Sequence, residues 1–315
     1  MKVVVTGADG FVGGWLVKDL LAAGHHVVGA IRVGGGPPPL PEAERLRVQW
    51  VEFDLLASES VSTLASLGAD AVIHLAAVAS GMDARHDPGY AWNVNAAGTA
   101  RLCEAYGRLK QQEQTNPLIL VVSTGEVYGE GSGQPVTEAA PPRPRSPYGA
   151  SKWGAEIAAL EAAGRFGLRV VIGRAFPHTG PGQSDKYVIP AIAQRLRTAK
   201  RIGAPVIKTG NLQPVRDLLD VRDVVTAYRL LAERGEPGAT YNVASGRGVA
   251  LEAVADELCR LLDLRIILES DPALLRANDI SYLVGDPTRI RRAIGWAPTV
   301  PLEQTLKDLL DAQAD

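Results

Sequence analysis

Met1-Lys2-Val3-Val4-Val5-Thr6-Gly7-Ala8-Asp9-Gly10-Phe11-Val12-Gly13-Gly14 opens the chain, and its reading decides the fold. An apolar β-branched run leads straight into three glycines spaced GxxGxxG. The residues after them predict a helix through about Ala23. Strand, glycine turn and helix in that order make a phosphate cradle. Gly7 permits a tight turn, Gly10 lets backbone approach a pyrophosphate, and Gly13 lets the helix pack close to the strand. Phe11 and Val12 open the helix, whose N-terminus attracts an anion.

Further apolar runs follow at Val27–Ile31, Val48–Phe53, Ala71–Leu75, Leu118–Val122 and Val170–Ile172, with helical stretches between them. Such runs predict parallel strands covered on both faces. The expected class is α/β, a doubly wound parallel sheet of Rossmann type with a smaller C-terminal substrate-binding region. Residues 1–174 are assigned to the dinucleotide domain, with returns near 213–244. Residues 175–212 and 245–315 are assigned to the substrate region. Apolar content of 46%, 22% charged residues and a net charge of −2 describe an ordinary globular protein with no pull toward nucleic acid or anionic membrane. Two distant cysteines, Cys103 and Cys259, suit a reducing compartment. No apolar run nears the ~20 residues of a membrane span. The N-terminus meets Thr6, Gly7 and Asp9 too early for a signal core, so the expectation is a cytoplasmic protein with no metal site.

The second strand ends in Arg32 with no acidic residue beside it in sequence. A guanidinium there can pair bidentately with a 2′-phosphate, which favours NADP(H); the other reading is a solvated arginine. Asp54-Leu55 reads either as a neighbour of the adenine or as a turn. Tyr148 and Lys152 share one helix face at i, i+4. A phenol beside a carbonyl can supply the proton that hydride arrival demands, and an ammonium one turn later supplies positive charge and ribose contacts. Thr124 or Ser123, at a neighbouring strand end, would complete the hydrogen bonding to the carbonyl oxygen.

These residues resemble the extended short-chain dehydrogenase/reductase family, the NAD-dependent epimerases and dehydratases of nucleotide sugars, and the likeness spans nearly the whole chain. TGADGFVGG, HLAA (74–77), NVNAAGT (93–99), YGASK and RDLLDVRD fall where that family has its motifs. FPHTGPGQ, YNVASGRG and GDPTRI…GWAP look most like its GDP-mannose 4,6-dehydratase and GDP-4-keto-6-deoxymannose reductase branch, the C-terminal half being closer to the reductases. The resemblance implies catalysis by Thr124, Tyr148 and Lys152. It implies coenzyme contacts from Leu75, Ala76, Ala77 and Asn95, with Asn95 also ordering the site. It also implies a GDP-linked sugar held by Ser80, Thr124, His178, Asn211, Arg216 and Arg276, and a homodimer formed through the helices after Asn95 and around Tyr148.

Within STGEVYG (123–129), dehydratases carry Asp or Ser after the Thr, whereas this chain has Gly125. The missing side chain argues for one hydride passed from NADPH to a C4 ketone. Glu126 reads either as a base or as a carboxylate held by backbone amides. Pro177 stands where the family usually has Asn, and proline offers neither amide nor N–H. A 4,6-dehydratase, a 4-epimerase and a non-catalytic NADP-sensing scaffold are the alternatives; the scaffold ranks last because both Tyr148 and Lys152 are kept. The charges at Arg216, Asp217, Arg222 and Asp223 read either as a surface ion-pair network or as part of a diphosphate clamp.

Overall fold

The computed structural model describes residues 1–275 and 279–312. β1 (Lys2–Thr6), β2 (His26–Ile31), β3 (Val48–Glu52), β4 (Ala71–His74), β5 (Leu118–Thr124) and β6 (Arg169–Ala175) fall on the six expected apolar runs. A seventh strand, Thr240–Val243, pairs with β6. The order is β3-β2-β1-β4-β5-β6 and then the seventh strand, every pairing parallel. Strand order reverses between β1 and β4, which opens a crevice at the carboxyl ends of the strands.

Both faces of the sheet are covered, which explains the continuous apolar runs. On one face Leu16, Val17 and Leu20 of the first helix (Phe11–Ala22) pack with Val224, Tyr228 and Leu231 of the helix Val221–Arg234. On the other face Val61, Leu64, Leu102, Tyr106, Ala159 and Ala162 pack against the sheet. Each fully buried leucine contributes about 1.5–3 kcal/mol from water exclusion. The long helix Pro147–Phe166 begins with Ser146 as N-cap, its side chain accepting from the Gly149 N–H, and with Pro147 at the first turn. It stops at Gly167, which takes the left-handed conformation at φ +67°.

A second core joins Ile189, Ile192 and Leu196 to Val254, Leu258, Leu306 and Leu309. It carries small sheets in which Val215–Asp217 lies between Gly248–Ala250 and Tyr282–Leu283. Two boundaries depart from the sequence reading. Residues 213–220 stay out of the seven-stranded sheet, and the return begins with the helix at Val221. Residues 288–296, assigned to the substrate region, also return: Ile290, Ile294 and Trp296 are buried in the first core. The cause lies in Asp223, whose carboxylate accepts from Thr299 N and Oγ1 and from Val300 N, while Trp296 Nε1 donates to the Asp223 carbonyl. Among the described residues, no helix is long and apolar enough to cross a membrane.

Candidate active site

One cleft of about 2330 Å³ runs along the carboxyl ends of the strands and into the second region. A drug-sized ligand fills roughly 300–1,000 Å³, so this cleft has room for a dinucleotide and a second large molecule. Its floor is the glycine turn. Gly7 has φ +72°, and a Cβ there would lie 2.9 Å from the Ala76 nitrogen. At Gly13 a Cβ would come 2.2 Å from the Gly7 oxygen and 2.7 Å from Ala8 Cα, so helix and strand touch only because both sites are glycine. Gly7 N and Ala8 N both donate to Ala30 O, which pins the turn to β2. The helix starts at Gly10 with no side-chain cap and no acid in its first turn, leaving its N–H groups for an anion.

Gly7, Gly10, Phe11, Val12, Gly13, Arg32, Asp54, Leu55, Leu75, Ala76 and Ala77 all line the cleft. Asp54 is also a turn residue, since its Oδ1 accepts from Leu56 N. At Arg32 the sequence reading found no acid nearby, but folding brings one: Arg32 Nε donates to Asp9 Oδ2 at 3.0 Å, from 23 positions away. Asn95, expected among the coenzyme contacts, lies behind the wall instead. It is 1% exposed, and its amide is taken up by Val78 N, Val78 O and Ser151 Oγ. Ser151 Oγ in turn donates to Tyr148 O, so Asn95 fixes the loop after β4 against the Tyr148 helix. It does so from a π-helical turn, Asn93–Ala97.

Thr124, Glu126, Tyr148 and Lys152 meet in the middle of the cleft. Thr124 ends β5, and its Oγ1 accepts from Glu126 N; the hydroxyl also acts on the nearby Tyr148 phenol, lowering its pKa. Glu126 Oε2 accepts from Ser146 Oγ, which is also the cap of the Tyr148 helix. Burial pushes the Tyr148 phenol above the usual tyrosine range. The charges of Glu126 and Tyr187 push the same way, and the Thr124 hydroxyl offsets them in part. Burial pulls the Lys152 ammonium down to about 8, and Glu156 works against that fall. At neutral pH the pair is therefore a neutral phenol beside a cation. Among the neighbouring charges, that of Glu126 acts most strongly on the phenol.

Two buried networks that the sequence reading did not find stand behind this pair. Glu156, one helical turn past Lys152, accepts from Arg174 Nε and Nη2 and from Ser123 Oγ. The other network runs through His74, which burial and then the Lys152 charge pull down to about 3. Thr99 Oγ1 donates its single proton to Asn95 O at 2.6 Å, so it must accept from His74 Nε2–H. His74 Nδ1 then accepts from Thr6 Oγ1, which accepts from Ala76 N. A neutral imidazole of fixed tautomer thus ties the glycine-loop strand to the turn that carries Asn95.

On the substrate side, Ser80, His178, Asn211 and Arg216 all line the cleft. Ser80 caps a short helix by accepting from Asp83 N, and Asn211 Oδ1 accepts from Gln213 N. His178 Nδ1 donates to Phe176 O, and burial lowers its basicity, so its Nε2 is an acceptor. Arg216 is half-buried, with Nη2 on Asp279 Oδ1 at 2.9 Å. The neighbouring Asp217 faces away: its carboxylate accepts from Ser245 N and Oγ, Gly246 N and Gly285 N. Arg276 lies outside the described residues. Arg145, Tyr187 and Arg195 also line the cleft and carried no recognisable sequence signal.

A family model described as GDP-mannose 4,6 dehydratase matches residues 4–309. The chain is 34% identical over 312 residues to GDP-6-deoxy-D-mannose reductase of Pseudomonas aeruginosa, covering 98% of this chain and 96% of that protein. It is 30% identical over 308 residues to UDP-glucose 4-epimerase of Mycolicibacterium smegmatis, covering 96% of each. The solved structure of RMD from Pseudomonas aeruginosa complexed with NADPH superposes with a TM-score of 0.83 and 32% identity, over 99% of this chain and 98% of that one.

Proposed function

The chain belongs to the GDP-mannose 4,6-dehydratase family of extended short-chain dehydrogenases/reductases, nucleotide-sugar oxidoreductases, and from that premise we propose that it is an NADPH-dependent 4-ketoreductase. Its substrate is a nucleotide-linked 4-keto-6-deoxyhexose, GDP-linked by preference. GDP-4-keto-6-deoxy-D-mannose reduced to a GDP-6-deoxyhexose such as GDP-D-rhamnose is the model reaction, carried out in the cytoplasm. The single observation that carries this reading is at Gly125. A Cβ there would lie 3.0–3.1 Å from the Phe176 ring, so the place where a dehydratase has an acid or hydroxyl is filled by an aromatic edge.

The glycine cradle, the uncapped helix start and Arg32 fit NADP(H), and these groups together with Lys152 would hold it. NADPH supplies the hydride when bound. Tyr148, kept protonated by burial, donates its proton to the sugar O4 as negative charge develops there. Thr124 offers that oxygen a second hydrogen bond. Lys152, a cation below about pH 8, stabilises the phenolate that remains. Arg216 holds the diphosphate in a charge-assisted pair. With Pro177 in the cleft wall and its carbonyl accepting from Leu219 N, the nearby His178 Nε2 is the group left to accept from a sugar hydroxyl.

Glu126 beside Tyr148 is the one feature that favours a second reading, a lyase or epimerase that oxidises C4 first. The test is incubation with NADPH and GDP-4-keto-6-deoxy-D-mannose, following absorbance at the reduced nicotinamide band. Coenzyme consumption with a GDP-6-deoxyhexose as product supports the reductase. Water loss from GDP-mannose with no added coenzyme would replace it with the dehydratase. We also infer a homodimer: Trp92, Ile157 and Leu160 are 44%, 52% and 39% exposed, and the first two line an apolar groove along the Tyr148 helix. Ile157→Arg should convert the dimer to monomer in light scattering; a wild-type protein already monomeric would end that inference.

A further inference from the structure

We propose that Asp9 is a coenzyme-selecting residue, which together with Arg32 lets this chain bind NADH as well as NADPH. The inference rests on the dinucleotide reading of the cleft above. Arg32 and Asp9 form one unit in which the arginine side chain is 86% exposed and the aspartate side chain 9%. Only Nε of the guanidinium is engaged by Asp9, so its Nη edge is presented outward. Asp9 Oδ2 is committed to Arg32, while Oδ1 has no hydrogen-bond partner among the described residues. Both residues line the cleft at the carboxyl ends of β1 and β2, where the adenosine ribose lies in this fold.

Two other carboxylates near this end of the sheet accept from backbone: Glu52 from Gly34 N, and Asp54 from Leu56 N; neither is paired with Arg32. The backbone turns back over the pair through Gly35, whose N–H donates to Arg32 O; a Cβ on it would sit 3.6 Å from Asp9 Oδ2. The pair is thus held at the cleft edge by a tight turn.

The two coenzymes ask opposite things of this place. A 2′-phosphate needs cationic donors, and the Arg32 Nη edge supplies them. A 2′-hydroxyl needs an acceptor, and Asp9 Oδ1, which carries no hydrogen bond among the described residues, supplies it. Asp9 would also set a negative charge close to a 2′-phosphate held by Arg32, opposing the gain from Arg32. A lone arginine would select NADPH strongly; arginine held by a carboxylate selects it weakly.

Dissociation constants of NADPH and NADH, read by quenching of protein fluorescence in wild type, Asp9→Asn and Arg32→Ala, test this. Wild type is expected to bind both within about tenfold, a difference of about 1.4 kcal/mol. Asp9→Asn should widen the ratio by about threefold to tenfold by weakening NADH and sparing or tightening NADPH. Arg32→Ala should reverse the order. Asp9→Ser, which also removes the charge, is the second variant should Asp9→Asn fail to fold. Both coenzymes bound with the ratio unchanged in the Asp9 variants overturns the proposal alone. Neither coenzyme bound by wild type overturns the dinucleotide reading and the proposal with it.

Discussion

Glu156→Gln probes the link between the buried ion pair and the catalytic lysine. Glu156 is 2% exposed and takes four hydrogen bonds: three from Arg174, at 3.0, 3.2 and 2.7 Å, and one from Ser123. Removing one partner of a buried pair leaves an uncompensated charge, at a cost of about 3–5 kcal/mol. Arg174 has little relief at hand, because its buried Nη1 has no hydrogen-bond partner among the described residues and its guanidinium carbon lies 4.8 Å over the Tyr128 ring. For a chain of this length that loss should lower the melting midpoint by about 5–10 °C. The second consequence is electrostatic. Glu156 raises the Lys152 pKa against burial, so without it the ammonium should lose its proton below the wild-type value of about 8. Lys152 acts as a cation, so activity is lost as pH rises through that value. The alkaline limb of kcat/KM should therefore begin near pH 8 in wild type and shift to lower pH in Glu156→Gln. A melting scan together with a pH–rate profile on the 4-keto sugar measures both. An unstable variant whose alkaline limb has not moved would refute the coupling of Glu156 to Lys152 and leave Glu156 a purely structural residue.

Tyr148→Phe should lower kcat by about 10²–10⁴-fold while NADPH affinity stays near wild type, because it removes the proton donor and leaves the glycine cradle intact; near-normal turnover would dismiss Tyr148 as the acid. Gly13→Ala should abolish coenzyme binding, since its Cβ would stand 2.2 Å from the Gly7 oxygen; titration of the variant with NADPH checks this. Asp217→Asn should raise KM for the nucleotide sugar more than it lowers kcat. Its carboxylate organises residues 245–246 and 285 around the strand that carries Arg216, and an equal fall in both parameters would contradict that role.

The parts of this protein that were legible in sequence are those whose geometry is local. A strand, three glycines and a helix form one turn. Tyr148 and Lys152 share a helix face whatever the rest of the chain does. The parallel strands announce themselves because burial on both faces leaves no polar alternation. Asn95 was singled out by its motif, but a motif does not say which way a side chain faces. Its amide points into the wall, so it orders the site and touches nothing in the cleft.

Sequence by itself thus determined the sheet, the cradle and the acid–lysine pair, each set by backbone freedom or helical pitch within a few residues. Tertiary structure alone decided what those groups sit beside. Asp9 meets Arg32 only because β1 and β2 lie in register, and Glu156 meets Arg174 only because the Tyr148 helix packs on β6. Phe176 reaches Gly125 only because β6 lies beside β5, and residues 288–296 return to the first core by burying Ile290, Ile294 and Trp296, with Asp223 holding the segment that follows. Charge and steric contact act over a few ångströms of space, and distance along the chain carries no record of which groups folding brings that close.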